Sequence, residues 1–333
     1  MDKPYISVII TAYNRKKYLL GAVRSALNQT LPKDLYEVIV VKNFRDEIID
    51  RELERWGVVD LYSDDVSAGG QVHDALGVAR GDVISLLDDD DEFLPEKLER
   101  VYAAFRDGVD YYHNGRVVVN EAGKVLRVEG YSAIIKGEEE KAKYALEMMV
   151  HKAGFYNSSM SFRRVISEAL DLEKCDLAID VFIFTAALLS ARAIADDPRP
   201  LTLYRVHSQH AGADLSSFEA MQAEMLKSGS RGLSDVAYLA SLCSGTPYER
   251  AIKFLFLNHK LAWLALLERP QLDDPRLNTL GTGDLIGWLS FLPYQWHHLL
   301  HFTRVMLVPA LPKAARRAVA KFTFDRKVRQ ALG

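Results

Sequence analysis

Apolar, β-branched runs recur along the first hundred residues, and segments of helical period separate them. Ile6 to Thr11 (ISVIIT) and Glu37 to Val41 (EVIVV) are nearly continuous in apolar residues, the pattern of strands buried on both faces. Asp82 to Leu87 (DVISLL) repeats that pattern and runs directly into Asp88-Asp89-Asp90-Asp91. Tyr18 to Leu27, Arg51 to Trp56 and the stretch from Gly69-Gly70 to Arg80-Gly81 predict helices, and Asp60 to Tyr62 a short strand. Pro95 to Arg106 predicts a further helix, with proline at its start, where a missing N–H costs nothing. The alternation predicts an α/β fold with a parallel, doubly wound sheet. Such sheets bind ligands at the carboxyl ends of their strands. Tyr13-Asn14-Arg15, Lys42-Asn43 and Asp88 to Glu92 all fall at such ends.

Further on, Val117 to Asn120 and Val125 to Val128 flank Glu121-Ala122-Gly123-Lys124 and predict a β-hairpin. After about residue 215 helical patterns dominate, clearest in Val236 to Leu242 and Ala251 to Leu267. The expected division is a chemical domain over 1–215 and a helical region over 216–333. Leu285 to Pro312 holds 17 apolar residues in 28, with Arg304 its only formal charge. That length of helix reaches about 42 Å, enough to span a bilayer. Pro293 and Pro309 interrupt it, and Trp288, Tyr294 and Trp296 favour a membrane interface. In-plane or inserted helices are therefore expected here, with a full span and a soluble helical subdomain as alternatives.

Charge sharpens this picture. The net charge is −3, yet Arg304 to Gly333 carries eight Lys or Arg against Asp325, a net of +7, which leaves −10 on the rest. A basic tail on an acidic body predicts an anionic surface as partner, and a membrane fits better than nucleic acid, for which no recognition motif accompanies the charge. Cys175 and Cys243 lack metal-ligand or CxxC spacing and predict two reduced, buried thiols. Met1 leads through one lysine into a strand, without a leader pattern, so a cytoplasmic catalytic domain is expected. Gly69-Gly70-Gln71 lacks the endings of phosphate-binding loops and reads as a helix entrance.

Four consecutive aspartates after a buried strand repel one another unless a cation relieves them. Oxygen-rich carboxylate sites suit Mg2+ or Mn2+ shared with substrate phosphates. On the residues alone, a solvated acidic loop or a helix cap remains open.

ISVIITAYNR, EVIVV, ARGDVISLLDDDDEFLPEKL and the later AID and YRVH segments resemble family 2 glycosyltransferases of the GT-A fold, over roughly residues 5 to 210. The resemblance extends to polyprenyl-phosphate mannose synthases and cellulose-synthase-like enzymes. It implies a GT-A catalytic domain, Rossmann-like with a mostly parallel sheet, followed by a C-terminal membrane-associated helical region. It also implies a DxD motif, with Asp88 and Asp89 on the nucleotide sugar and Asp90 on the metal, joined by Glu92 and His207 as ligands. Thr11, Tyr13, Asn14 and Arg15 match the family's base contact. Asn43 stands where the family usually carries an acidic pair, which leaves uracil and guanine both open. Arg205 supplies fixed charge to the diphosphate. Asp180 takes the place of the base that deprotonates the acceptor, with Asp176 in reserve. Asn114, Ser158, Ser159, Arg163 and Arg164 would line the acceptor pocket, and Tyr112-His113-Asn114 also faces it. The implied activity is inverting, metal-dependent transfer of a hexose, leaning to mannose from GDP-mannose. The acceptor would be lipid-linked or a glycan, at a membrane. A nucleotidyltransferase and a non-catalytic nucleotide-sugar scaffold are the competing readings.

Overall fold

The computed structural model describes residues 3–151, 155–207, 209–210, 213–214, 216–266, 281–291 and 311–332. The chain divides into two compact units: Met1–Val119, Gly123–Lys141 and Ala153–Arg205 form the first, and Asn120–Ala122, Ala142–Lys152 and Val206–Gly333 the second. The main division thus falls at Arg205, earlier than the helical pattern alone suggests.

The first unit is built on one sheet. β1 (Ile6–Ala12) pairs in parallel with β2 (Tyr36–Lys42) and β4 (Val83–Asp88), and β2 with β3 (Val59–Tyr62). β1, β2 and β4 are the apolar runs of the sequence, buried almost throughout because helices cover both faces; β3, at the edge, is exposed or half-buried along its length. Those helices include α1 (Leu19–Leu27), α2 (Glu47–Arg55), α3 (Ala68–Val78) and α4 (Lys97–Arg106), the last following β5 (Glu92–Phe93). Ile6, Val8 and Ile10 of β1 join Ala22 and Val23 of α1 and Leu98, Val101 and Phe105 of α4 in one core cluster. The expected parallel arrangement holds on this side.

Beyond β4 the sheet becomes antiparallel. It continues through β9 (Met160–Arg163), β6 (Tyr111–Asn120) and β10 (Ala193–Val206), with β7 (Val125–Glu129) on β6 and β8 (Ala133–Lys136) on β10. β6 and β7 form the predicted hairpin, with a bulge at Val118/Val119. Two helices follow in chain order, α5 (Glu138–His151) and α6 (Ile179–Ser190). In α6, eight of the ten residues from Ile179 to Leu188 are buried apolar side chains, so it is packed all round rather than along one stripe.

Gly69 and Gly70 are set by close approach. A Cβ on Gly69 would lie 1.9 Å from the Leu172 carbonyl oxygen, and one on Gly70 2.0 Å from Asp65 Oδ2. The Gly69 and Ala68 N–H groups donate to the carbonyls of Cys175 and Asp176, and Ser67 caps the helix through the Gly70 N–H. The helix entrance expected there is present, and it is locked onto the 172–176 loop.

The second unit is helical. α7 (Phe218–Leu242) packs with α8 (Glu249–Leu266), and Lys260 joins α8 to Asp284 of α9 (Thr282–Leu289) at 2.7 Å. The basic segment forms α10 (Lys313–Leu332), whose Phe324 meets Phe218 edge-on and whose Arg317 pairs with Glu219. Among the described residues no helix is long and apolar enough to cross a membrane. Most of the Leu285–Pro312 stretch, 292–310, lies outside the described residues. Cys175 and Cys243 are both buried and outside any disulfide, as expected.

Candidate active site

The register of the parallel strands brings the polar strand ends together. Thr11 stands beside Asp88 across the β1–β4 pair and beside Val41 across β1–β2. Asn14 sits just past β1 with φ at +56°, in the left-handed region that asparagine tolerates. It exchanges two hydrogen bonds with Asn43: its N–H donates to Asn43 Oδ1 at 2.8 Å, and Asn43 Nδ2 donates to its Oδ1 at 3.0 Å. The exits of β1 and β2 are thereby tied. Lys42 does not take part; it is buried and paired with Asp60 and Asp50. Tyr13 is exposed at the same edge.

Arg15 reaches from this edge to the acidic cluster, bonding Asp89 and also Asp90 Oδ2 at 2.5 Å. Asp89 and Asp90 are thus both held by a cation, and Asp88, Asp90 and Asp91 each offer an oxygen within 4.8 Å of the others. The turn formed by Asn157-Ser158-Ser159 closes over them. Asn157 Nδ2 donates to Asp88 Oδ1 at 3.2 Å, and Ser158 Oγ donates to Asp91 Oδ2 at 2.6 Å while accepting the Asp88 N–H at 3.0 Å. The other oxygen of Asp91 accepts the Arg205 N–H at 2.9 Å.

Crowding and burial raise Asp88, Asp89 and Asp91. Burial first, then the Asp90 charge, pushes Asp88 up to about 7. Burial outweighs the lowering effect of Arg15 and takes Asp89 to about 8. Asp91 is raised well above the carboxylate range by burial and by Asp90 and Asp88. The donor set fits a hard divalent cation, because three clustered oxygens from acids reluctant to ionise together are what such an ion relieves.

The other candidates fall into three groups. Asp180 opens α6, accepts the Val181 N–H, and is close enough for its charge to raise both Asp88 and Tyr111. Arg205 donates to Glu92 Oε1 at 2.7 Å and lies over the Tyr18 ring, so Glu92 is committed to that pair. The three-carboxylate group includes neither Glu92 nor His207, and His207 is buried within the second unit.

The remaining candidates turn away from the cluster. Asn114 is fully buried among Lys97, the Gly115 carbonyl and Thr202, and Ser159 is buried with its carbonyl bound by Lys97. An acceptor-facing position for Asn114 is therefore corrected: its amide is already taken up by Lys97, the Gly115 carbonyl and Thr202. The same correction applies to Arg163 and Arg164. β9 runs antiparallel to β4, which sets Arg163 opposite Val83, at the far end of β4 from Asp88. There Arg163 bonds Asp110 and the Phe105 carbonyl, and Arg164 takes up the carbonyls of Leu76 and Ala79 that end α3.

Sequence reasoning missed Asn157, whose amide holds Asp88, and the pairing of His113 with Asp196. Only the position of Asn157 beside Ser158 could have indicated the first.

The fold is shared with solved transferases. Staphylococcus aureus TarS 1-349 aligns over 98% of this chain and 89% of its own, with a TM-score of 0.55 at 16% identity. The mannosyltransferase PcManGT from Pyrobaculum calidifontis, solved with GDP-Man and Mn2+, aligns over 94% and 88%, with a TM-score of 0.53 at 14% identity. This likeness defines the fold as α/β, of the GT-A type. Residues 7–166, just under half of the chain, match the model of Glycosyl transferase family 2 and form a domain of that kind. The uncharacterized glycosyltransferase MJ1057 of Methanocaldococcus jannaschii is 29% identical over 38% of this chain and 47% of its own length. The putative glycosyltransferase EpsH of Bacillus subtilis is 23% identical over 62% of each. The chain thus spans about half to three-fifths of these curated relatives.

Proposed function

We propose that the chain is an inverting, Mg2+- or Mn2+-dependent glycosyltransferase that moves a hexose from a nucleotide sugar to a lipid-linked or glycan acceptor. The observation that carries this is the group Asp88, Asp90 and Asp91 at the end of β4, with Asp180 brought near it from α6. Asp88, Asp90 and Asp91 would hold the cation, which supplies positive charge for the departing diphosphate. Thr11, Tyr13, Asn14 and Asn43 line the base side of the edge. Arg15 and Arg205 add fixed charge beside the carboxylates.

In the transfer, the acceptor oxygen attacks the anomeric carbon and its proton passes to Asp180. The bond to the diphosphate breaks, and its electron pair leaves with the phosphate oxygen. An acceptor that is already an ionised phosphate needs Asp180 only to orient it.

Mannose from GDP-mannose is the favoured donor, a lean that rests on Asn43 at the base contact and on the basic tail; the fold itself is shared with structures holding UDP-GlcNAc and GDP-Man alike. A membrane-side acceptor, reached by a cytoplasmic catalytic domain, is supported by the +7 tail and by Phe322, two-thirds exposed on α10.

Calorimetric titration with GDP-, UDP- and dTDP-sugars, with and without Mn2+, tests the reading. Metal-dependent binding of one of them is expected, with release of its nucleoside diphosphate on turnover. If none binds in a metal-dependent way, the proposal fails. Release of pyrophosphate in place of a nucleoside diphosphate would identify a nucleotidyltransferase, and binding without turnover a scaffold.

A further inference from the structure

The sheet order sets the base-side residues on β1 and β2, to one side of β4, and leaves β9, β6 and β10 on the other. On that other side two buried side chains carry polar atoms with no partner among the described residues. One is His113 Nε2, on an imidazole whose Nδ1 is 2.8 Å from Asp196 Oδ1. The other is Arg116 Nη1, on a guanidinium whose Nε bonds Glu129 Oε2 at 2.7 Å. His113 is 7% exposed and Arg116 4%, so bulk water does not compensate them. An unmatched buried donor or acceptor destabilises the fold, and a bound partner relieves it.

Both border one ring. The Arg116 guanidinium lies 3.2 Å from the centre of Tyr156 and 4.5 Å from that of Tyr204, and the His113 ring is 6.3 Å from Tyr156. Tyr156 directly precedes Asn157 and Ser158, which hold Asp88 and Asp91. A third buried atom without a partner, Asn157 Oδ1, belongs to the amide that donates to Asp88. Tyr204 joins the two, since its ring lies 4.5 Å from the Arg116 guanidinium and its next residue, Arg205, donates its N–H to Asp91. The unmatched atoms are therefore continuous with the carboxylate floor, on the side away from the base contacts.

We propose that His113 and Arg116 form the subsite that reads the hydroxyls of a polyhydroxylated acceptor, a sugar or polyol. This rests on the glycosyl-transfer reading above. With Nδ1–H donated to Asp196, His113 Nε2 accepts from one acceptor hydroxyl. Arg116 Nη1 donates to an acceptor oxygen. A polyhydroxylated acceptor offers a hydroxyl to Nε2 and an oxygen to Nη1, whereas a lone phosphate satisfies only Arg116.

The test separates the two ends of the imidazole. His113→Asn keeps a group near Nδ1 for Asp196 but removes the Nε2 position, whereas His113→Gln restores a polar atom there. The full chain would be assayed for nucleoside diphosphate release with methyl hexosides and ribitol as acceptor probes, and for slow donor hydrolysis without them. Expected in His113→Asn and in Arg116→Lys is an acceptor KM raised about tenfold or more, with donor hydrolysis and nucleotide affinity within about twofold of wild type. His113→Gln should recover most of the acceptor KM. Equal effects of Asn and Gln, donor hydrolysis falling in step, or a donor-hydrolysing wild type indifferent to every probe would each overturn the subsite. A wild type that binds and hydrolyses no nucleotide sugar overturns glycosyl transfer itself, and this inference with it.

Discussion

Arg15 is the cation that lets Asp89 and Asp90 coexist, and replacing it by methionine tests the electrostatics of the site. Its side chain is 27% exposed, so the pairing is only partly screened. Removing one partner of such a buried pair costs about 3–5 kcal/mol when the stranded carboxylate stays ionised. Asp89 need not stay ionised, because burial already holds it at about 8. The folded state therefore binds more protons than the unfolded chain from about pH 4 to about pH 8, and stability falls as pH rises through that window. Arg15→Met widens the window upward by removing a charge that lowers these acids. The expected loss is about 1 kcal/mol near pH 6, from packing and hydrogen bonds, and about 3–5 kcal/mol near pH 9. Urea unfolding of the metal-free proteins at both pH values, followed by circular dichroism, measures it. Excess Mg2+ should recover much of the high-pH loss. Equal destabilisation at both pH values would refute the reasoning, since it would show that Arg15 stabilises by packing alone.

Three other expectations follow from the same geometry. Ser158→Ala strips Asp91 of its hydroxyl donor and leaves the Asp88 N–H unmatched, a loss of about 2–4 kcal/mol by urea unfolding; a change under about 0.5 kcal/mol would contradict the bracing role. Gly69→Ala sets a methyl against the Leu172 carbonyl and should cost about 3 kcal/mol, read as a lowered unfolding midpoint; wild-type stability would show that the 172–176 loop yields freely. Divalent-cation affinity should fall as pH drops through about 7, because the ion must displace protons from Asp88 and Asp91; calorimetry in buffers of different ionisation enthalpy counts them, and a pH-independent affinity would sink the idea.

The parallel half of the fold was legible because its strands are unbroken apolar runs, and the acidic cluster because it directly follows one of them. The antiparallel half was harder to read. β10 carries Asp196-Asp197-Pro198-Arg199-Pro200 in its middle, which breaks the strand pattern, and β9 is only four residues long. Chain direction decided the rest. Ser158 and Arg163 are five positions apart, yet an antiparallel β9 puts the first on the carboxylates and the second at the far end of the sheet. Asn114 is likewise taken up inside the sheet by Lys97 and Thr202, partners that composition alone does not reveal. Asp180 was identified by resemblance, and its nearness to Asp88 depends on where α6 packs, which local pattern does not encode.

The switch from parallel to antiparallel pairing at β4 also bears on specificity. On the proposed reading the donor contacts come mostly from the exits of β1, β2 and β4, and the acceptor contacts from β6 and β10. His113 and Arg116 lie inside the stretch that matches the family model, and Asp196 and Tyr204 lie beyond it. The acceptor side would then be assembled from two lengths of chain, and a substitution on either could alter which molecule is accepted without touching the strand ends that hold the donor.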